Sequence, residues 1–313
     1  MKTNNLLTRQ QIIQYFGVKN NRNCTELEFS YTTIFCILDD LVKKLEYKDH
    51  HHATFYLTDI IMTLYISVTD TNINYSKAIK QYQVVSNKLI STSRFSHLIY
   101  QHSKKINSIF KEFINLMQYC LNDNLIMDSF PVELGKIYRE SQLKLSNDYM
   151  LNLKGFNASK NCYFIGFKIM LVVDITGNLV CFSIDRASTH DLTIARELLP
   201  QLGSSLDNKD IFLDKGFIFK EEEKLDYLSR NIQLINLQKT YKKHTKEEKL
   251  VIKKYNKLVS HYRKYIETIN ALILNKLGRK IHATNISGFI FKLQILVFSF
   301  QIEREFIKQQ KLA

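Results

Sequence analysis

A nearly continuous apolar run, CYFIGFKIMLVV at residues 162–173, constrains the fold more than any other part of this chain. A run of this length without proline, rich in aliphatic and aromatic residues, predicts a long buried strand. Thr176-Gly177-Asn178 then supplies a turn, and LVCFSID at residues 179–185 predicts a second strand, paired with the first as a hairpin. Asp174 and Asp185 flank the hairpin ends, and we expect both to be solvated.

Strand and helix patterns alternate around this hairpin. Three shorter apolar runs complete a predicted sheet of five strands, at residues 124–130, 209–214 and 231–236. Helices are predicted from Asp191 or Thr189 to Leu199, at residues 221–229, from about 246 towards 277, and from about 287 to 306. Strand, hairpin, helix, strand, helix, strand, helix is the element order of a ribonuclease-H-like fold, in the α+β or α/β class with helices on a mixed sheet.

Residues 1–120 have a different pattern, because apolar residues recur there at steps of three and four, as in Ile12–Phe16 and Phe35–Leu45. This pattern predicts an all-helical N-terminal domain over residues 1–120. The mixed-sheet domain then covers residues 121–313.

The charge balance points to a polyanionic partner. The chain of 313 residues has 44 Lys and Arg against 30 Asp and Glu, a net charge of +14, which favours nucleic acid or an anionic surface. No signal-peptide pattern is evident at the start, and Asp59, Lys292 and Gln294 interrupt the most apolar windows, so we expect no membrane span. Five scattered cysteines form no metal-binding pair, which favours a reducing cytoplasm.

Three carboxylates lie next to apolar residues in the predicted strands and helices. Asp128 follows the apolar triplet Leu-Ile-Met, Asp214 closes the run Ile-Phe-Leu, and Glu267 lies in the long helical pattern. Carboxylates gathered from separate elements are the ligands of paired hard cations such as Mg²⁺. Two such ions clamp the attacking and leaving oxygens of a phosphoryl transfer. In a basic protein this pattern predicts phosphodiester chemistry on a polynucleotide.

Each acid also has a plainer interpretation. Asp128 and Asp214 are also compatible with simple turn residues, and Glu267 with a surface salt bridge to Arg263, four residues earlier on the same helix face. The combination of the three positions favours a site over three separate coincidences.

Three more residues are secondary candidates. His190 is either a general base or DNA contact, or a loop histidine that caps a helix. Asp191 is either a third metal ligand or, in our preferred interpretation, the helix N-cap. Lys168 interrupts an otherwise apolar strand, and it either extends to solvent or faces phosphate near the metal ions.

A basic stretch at residues 239–264 leads directly into the Glu267 helix. It contains ten Lys or Arg residues against Glu247 and Glu248, and it includes Lys253, Lys254, Lys257 and Arg263. A charge run is often only a solvated helix face. Its position favours phosphate contacts that hold a duplex at the acids.

Six ordered sequence blocks lie between residues 128 and 292: Asp128-Ser-x-Pro131, Tyr163-x-x-Gly-Phe-Lys168, Ser188-x-His-Asp191, Asp214-Lys-Gly-Phe217, Tyr262-Arg-x-x-x-Glu-Thr268, and Lys280-Ile-His-Ala283 with Gly288-Phe289 and Lys292. Together these blocks resemble DDE-type bacterial insertion-sequence transposases, most closely the insertion-sequence family numbered 982. The chain departs from the Tyr-Arg-Glu signature of a broader transposase group, since Tyr262 is adjacent to Arg263 and no lysine follows Glu267 by seven residues.

The resemblance implies that Asp128, Asp214 and Glu267 form a metal-binding catalytic triad, and that Arg263 and Lys215 contact DNA phosphate. It implies two Mg²⁺ ions, replaceable by Mn²⁺, and a double-stranded DNA substrate at both the element ends and the target. The helical N-terminal region would bind the element ends, and a homodimer or larger assembly would form on DNA in the bacterial cytoplasm, near the nucleoid.

Two rival functions stay open at this stage. A nuclease of the same fold would use the same acids without strand transfer. A catalytically dead DNA-binding copy would use the basic stretch alone.

Overall fold

A computed structural model describes residues 26–118, 122–136, 153–157, 160–238, 240–241, 244–277, 281, 283 and 285–310. Several sequence predictions lie outside these residues: the helical pattern Ile12–Phe16, the basic residues Lys239, Lys242 and Lys243, and the positions Lys280 and His282.

The chain divides into two compact units. The helical unit is drawn from residues 1–120, 276–280 and 294–313, and the sheet unit from residues 121–275 and 281–293. The sequence predicts one domain from residue 121 onwards, whereas this division passes through the last helix. The functional assignment of the two regions stays a prediction.

Among the described residues, four helices precede the sheet: Glu26–Lys44 (α1), Leu57–Thr69 (α2), Tyr75–Ser86 (α3) and Thr92–Gln118 (α4). The helix α2 is buried along its length from Leu57 to Val68, as expected for the central element of a helical core. The one acid in it, Asp59, accepts hydrogen bonds from the Tyr82 hydroxyl and from Lys88 Nζ. The predicted helical character of this region is confirmed for its described part.

The described part of the sheet unit contains six strands: Asn124–Lys136 (β1), Lys154–Asn157 (β2), Cys162–Asp174 (β3), Leu179–Arg186 (β4), Asp210–Leu213 (β5) and Gln233–Asn236 (β6). Its helices are Asp191–Leu198 (α5), Glu221–Ser229 (α6), Lys246–Asn275 (α7) and Ile286–Gln310 (α8), and α8 continues into the helical unit.

The sheet is mixed. The strand β1 pairs antiparallel with β3 and parallel with β5, and β5 pairs parallel with β6. The strands β4 and β2 both pair antiparallel with β3, along different parts of it. The mixed sheet with helices is as predicted, but the count of five strands is wrong.

The missed strand is β2. Its sequence, Lys-Gly-Phe-Asn, has no apolar run, and it is a strand because it pairs with β3 from Lys154 opposite Ile165 onwards. Gly155 also allows β2 to lie close to Ala187, the residue after β4, since a Cβ atom at Gly155 would lie 2.5 Å from Ala187 Cβ.

The predicted hairpin of β3 and β4 is confirmed, but the expected exposure of Asp174 is wrong. The Asp174 side chain is fully buried and accepts hydrogen bonds from the backbone N–H groups of Thr176 and Asn178. These hydrogen bonds replace those that the buried carboxylate would otherwise make to water.

The residues Ile286–Arg304 of α8 are long and apolar enough to cross a membrane by length and composition alone, although 67% of that window is buried inside the protein. Within the sheet unit Phe289 stacks on Phe167, and within the helical unit Phe298 stacks on Phe110. A buried core helix passes the same test, so this is weak support for a span. The expectation of no membrane partner stays a prediction.

Candidate active site

Parallel pairing of two strands brings Asp128 and Asp214 to matching positions. Leu125 is opposite Ile211 and Ile126 is opposite Phe212 in the pairing of β1 with β5. Continued in step, this register places Asp128 opposite Asp214, which directly follows the last residue of β5. The predicted positions of both acids, within a strand and at a strand end, are confirmed.

Asp214 begins a turn that is held in place by hydrogen bonds from the end of the neighbouring strand β6. The Phe217 N–H donates to the Asp214 carbonyl at 3.0 Å, and Asn236 Nδ2, at the end of β6, donates to the carbonyls of both Asp214 and Phe217. Phe217 is buried in the core of the sheet unit. Lys215 lies between these anchors and is exposed.

The helix α7 brings the third acid. It packs on β1 and β5 through a face that includes Ile266, Ile269 and Ile273, and Tyr262 stacks on Phe212 at 4.2 Å between ring centroids. Glu267 borders this buried face and its side chain is 58% exposed. The predicted helix and the border position of Glu267 are therefore confirmed.

Arg263 joins two of the acids. Its Nη1 atom lies 3.1 Å from Asp214 Oδ1, and its Nη2 atom lies 3.7 Å from Glu267 Oε1. The contact with Asp214 is the closer one, and the sequence interpretations, phosphate contact or salt bridge to Glu267, did not include it. Since Arg263 is only 23% exposed, this bridge is less screened by water than a surface pair.

Asp128 has the most perturbed environment of the three. Loss of solvent raises the pKa of Asp128 from the usual 3.8 to about 6, and the nearby charges of Asp214 and Glu267 add to this effect. A hydrogen bond from the Ser129 backbone and the charge of Arg263 oppose it. Asn270 Nδ2 also donates to Asp128 Oδ2 at 3.1 Å.

The three acids are not assembled as a metal cluster. In the described parts of the chain, no group of three or more His, Cys, Asp or Glu side chains is arranged to hold a metal ion. The positive charge among the acids is instead that of Arg263. The donor chemistry nevertheless suits a hard cation, because the site offers carboxylate oxygens and the buried amide oxygen of Asn270, which accepts no hydrogen bond from the described residues.

Lys168, His190 and Asp191 have structural partners. Lys168 Nζ donates to Asp191 Oδ1 and to the Thr189 carbonyl, both at 2.9 Å. His190 is the N-cap of α5, since its Nδ1 accepts from the Leu192 N–H. The prediction that Asp191 or Thr189 caps this helix is wrong, because the imidazole fills that place and the Asp191 carboxylate pairs with Lys168. The sequence had allowed a capping role for His190.

Three lysines of the basic stretch lie on the exposed side of α7. Lys253, Lys254 and Lys257 are exposed, whereas Ile252 and Val259 of the same helix are buried. The DNA role of these lysines stays a prediction.

Two functional candidates were missed from the sequence, Asn236 and Asn270. Asn270 follows Glu267 by three positions and so lies on a neighbouring face of α7, and this spacing was the available signal. Asn236 had no such signal, because its contacts depend on the pairing of β5 with β6.

Comparison with known protein families identifies the family of the sheet-containing region. A family model described as a transposase DDE domain matches residues 121–285, which is more than half of the chain. The chain therefore belongs to the transposase DDE domain family. The matched range contains all six described strands and Asp128, Asp214 and Glu267. No curated protein and no solved structure matches the chain.

This membership supports the DDE-type transposase resemblance and a transposase function, and it implies a DNA substrate. Transposase DDE domains generally use divalent metal ions, which suggests a metal-dependent nucleotidyl-transferase type of enzyme.

Proposed function

We propose that this protein cuts DNA at the terminal inverted repeats of its own mobile element and joins the freed 3′-hydroxyl ends to target DNA. The observation that carries the proposal is the convergence of three acids from β1, β5 and α7. The register of β1 with β5, continued in step, places Asp128 opposite Asp214 just beyond the end of β5, and Arg263 joins Asp214 to Glu267.

The strand pairing supports a ribonuclease-H-like fold for the sheet unit. An antiparallel β3–β4 hairpin lies beside β1, and β1, β5 and β6 are parallel to one another. The ordered sequence blocks further support the insertion-sequence family numbered 982 as the closer relationship.

The acids would hold the cations of this reaction. Asp128, Asp214 and Glu267 supply the charged oxygens, while α7 and the turn anchored by Asn236 fix their positions. Two Mg²⁺ ions, replaceable by Mn²⁺, would when bound activate the attacking oxygen and stabilise the leaving oxygen.

The two chemical steps follow from this arrangement. Water attacks the phosphorus at each element end, and the bond from phosphorus to the 3′-oxygen breaks to leave a 3′-hydroxyl. That hydroxyl then attacks a target phosphodiester, so one bond to phosphorus forms as another breaks. The protein forms no covalent bond to DNA.

Basic residues would position the substrate. Lys215 is exposed one residue after Asp214, and Lys253, Lys254 and Lys257 extend the positive charge along α7. Arg263 has a fork of donors suited to a phosphate. We further propose that the helical N-terminal region binds the element ends, that the protein acts as a homodimer or larger assembly on DNA, and that it works in the bacterial cytoplasm near the nucleoid.

The test uses labelled DNA from both flanks of the coding region, incubated with the protein, Mg²⁺ and an unlabelled circular target. We expect cleavage at a defined end, followed by transfer of the label to the target. Binding without cleavage would identify a catalytically dead element copy, and cleavage without joining would identify a nuclease.

The matched control for the acids is Asp226→Asn, which removes an exposed carboxylate from α6. We expect that variant to cleave and join DNA as the unaltered protein does.

A further inference from the structure

Asn270 is a buried amide within the candidate site. It lies on α7, three residues after Glu267, between the buried residues Ile269 and Ile273, and it is 6% exposed. Its neighbours on this face pack against the sheet. A polar side chain here needs a reason, since an aliphatic residue would suit the packing surface better.

The two polar atoms of the Asn270 amide differ in their hydrogen bonding. Its Nδ2 donates to Asp128 Oδ2 at 3.1 Å, which ties α7 to β1 across a sequence separation of 142 residues. Its Oδ1 is buried and accepts no hydrogen bond from the described residues. The opposite orientation of the amide would set two acceptor oxygens against each other, so the contact with Asp128 fixes which end is unpaired.

An unpaired buried carbonyl oxygen destabilises the folded protein and is rare. Here it belongs to a side chain that contacts one of the three acids. An amide oxygen is also a suitable donor for a hard cation or for its bound water.

We propose that Asn270 is a positioning residue of the cation site, whose Nδ2 fixes the Asp128 carboxylate and whose Oδ1 completes the oxygen donors around the cation. This inference rests on the proposed function, because it takes Asp128, Asp214 and Glu267 to be the cation-binding acids.

The plainer alternative is that Asn270 only holds α7 against β1. The two roles predict different results for Asn270→Leu, which keeps the branching of the side chain, is somewhat larger and removes both polar atoms. A tethering role predicts a lower thermal midpoint and unchanged cation affinity. A positioning role predicts weaker cation binding whatever the midpoint, because losing the Nδ2 donor to Asp128 lowers the midpoint and losing the unpaired oxygen raises it.

The measurement is Mn²⁺ binding by electron paramagnetic resonance titration of the full chain, with thermal unfolding measured in EDTA and in Mn²⁺. We expect Asn270→Leu to weaken Mn²⁺ binding by about tenfold or more, the usual effect of losing a residue that orients a metal ligand. Asn275→Leu, at an exposed position on the same helix, is the matched control and should leave Mn²⁺ affinity unchanged.

A second variant keeps the test valid if Asn270→Leu folds poorly. Asn270→Asp keeps the shape and supplies an oxygen but replaces the donor with a negative charge beside Asp128. We expect a lower thermal midpoint in EDTA and a gain on adding Mn²⁺ that exceeds the gain of the unaltered protein. An equal loss of midpoint in EDTA and in Mn²⁺ would overturn the proposal.

Parallel titrations of Asp128→Asn, Asp214→Asn and Glu267→Gln separate this inference from the proposed function. If these variants bind Mn²⁺ weakly and Asn270→Leu binds it normally, only the role of Asn270 is overturned. If all three bind Mn²⁺ normally, the proposed cation site fails, and this inference fails with it.

Discussion

The Arg263 Nη1 atom lies 3.1 Å from Asp214 Oδ1, which joins a helix residue to an acid at a strand end. The same guanidinium lies 3.7 Å from Glu267. Arg263 therefore places a positive charge between these two acids, which reduces their mutual repulsion.

This relationship predicts how Arg263 variants respond to metal. Arg263→Ala leaves the carboxylates with no counter-ion, so we expect its thermal midpoint to fall in EDTA and to recover substantially in Mg²⁺. Differential scanning calorimetry under both conditions measures this. Equal losses under the two conditions would contradict it.

A milder change tests the phosphate role of Arg263. Arg263→Lys keeps the charge but loses the bidentate fork, and we expect cleavage at saturating DNA to slow by at least about tenfold, equivalent to roughly 1.4 kcal/mol of barrier. Arg230→Lys is the control, because Arg230 makes a comparable pair with Asp207 elsewhere in the sheet unit. Normal cleavage by Arg263→Lys would leave Arg263 as a structural salt bridge.

The pKa of Asp128 predicts a pH-dependent stability difference. Because the pKa is raised to about 6 in the folded protein, the contribution of Asp128 to stability is greatest below about pH 4 and is lost as pH rises through 6. An asparagine cannot ionise, so the Asp128→Asn variant does not lose this stability as the pH rises. In EDTA we expect it to be more stable than the unaltered protein by about 2–3 kcal/mol above pH 7, and similar to it near pH 4.

Urea unfolding of both proteins at several pH values measures this difference. Asp226→Asn, which removes a carboxylate at an exposed position, is the control variant. A constant difference across the pH range would show that Asp128 does not titrate in this way.

Because Lys168 and Asp191 form an ion pair, we expect substitutions of the two residues to have coupled effects on stability. We expect the stability losses of Lys168→Gln and Asp191→Asn to be less than additive in a double-mutant cycle, with a coupling below about 1 kcal/mol because Asp191 is 38% exposed. We also expect Lys168→Gln to leave the salt dependence of DNA binding unchanged. A flatter dependence would identify Lys168 as a phosphate contact.

The exposed lysines of α7 predict an electrostatic effect on DNA binding. Replacing Lys253, Lys254 and Lys257 with Gln should weaken binding to all sequences and reduce the slope of log K against log salt by about 0.9 per lost phosphate contact. Filter binding from low to moderate salt measures the slope, with Lys220→Gln as the control. An unchanged slope would mean that this side of α7 is only a solvated face.

Local patterns were sufficient to predict the positions of the three acids. Asp128 and Asp214 follow apolar strand residues and Glu267 borders an apolar helix face, and each pattern is contained in a few consecutive residues. The hairpin of β3 and β4 was predictable for the same reason.

The remaining features depend on residues distant in the chain. The strand β2 exists through its pairing with β3, and the contacts Arg263–Asp214 and Asn270–Asp128 join a helix to strands that precede it. Sequence patterns describe one element at a time and do not give the atoms that a neighbouring element presents. The burial of Asp174 was missed because its compensation comes from the turn's own N–H groups, which burial patterns do not describe.

The most direct test of the central claim is strand cleavage by Asp128→Asn, Asp214→Asn and Glu267→Gln in Mg²⁺, with DNA binding measured on the same preparations. Each variant keeps its side-chain size and removes one ligand charge, so we predict loss of cleavage by all three with DNA binding nearly intact. Asp226→Asn should cleave normally. Cleavage at the unaltered rate by any of the three variants would contradict the assignment of these acids as the catalytic site.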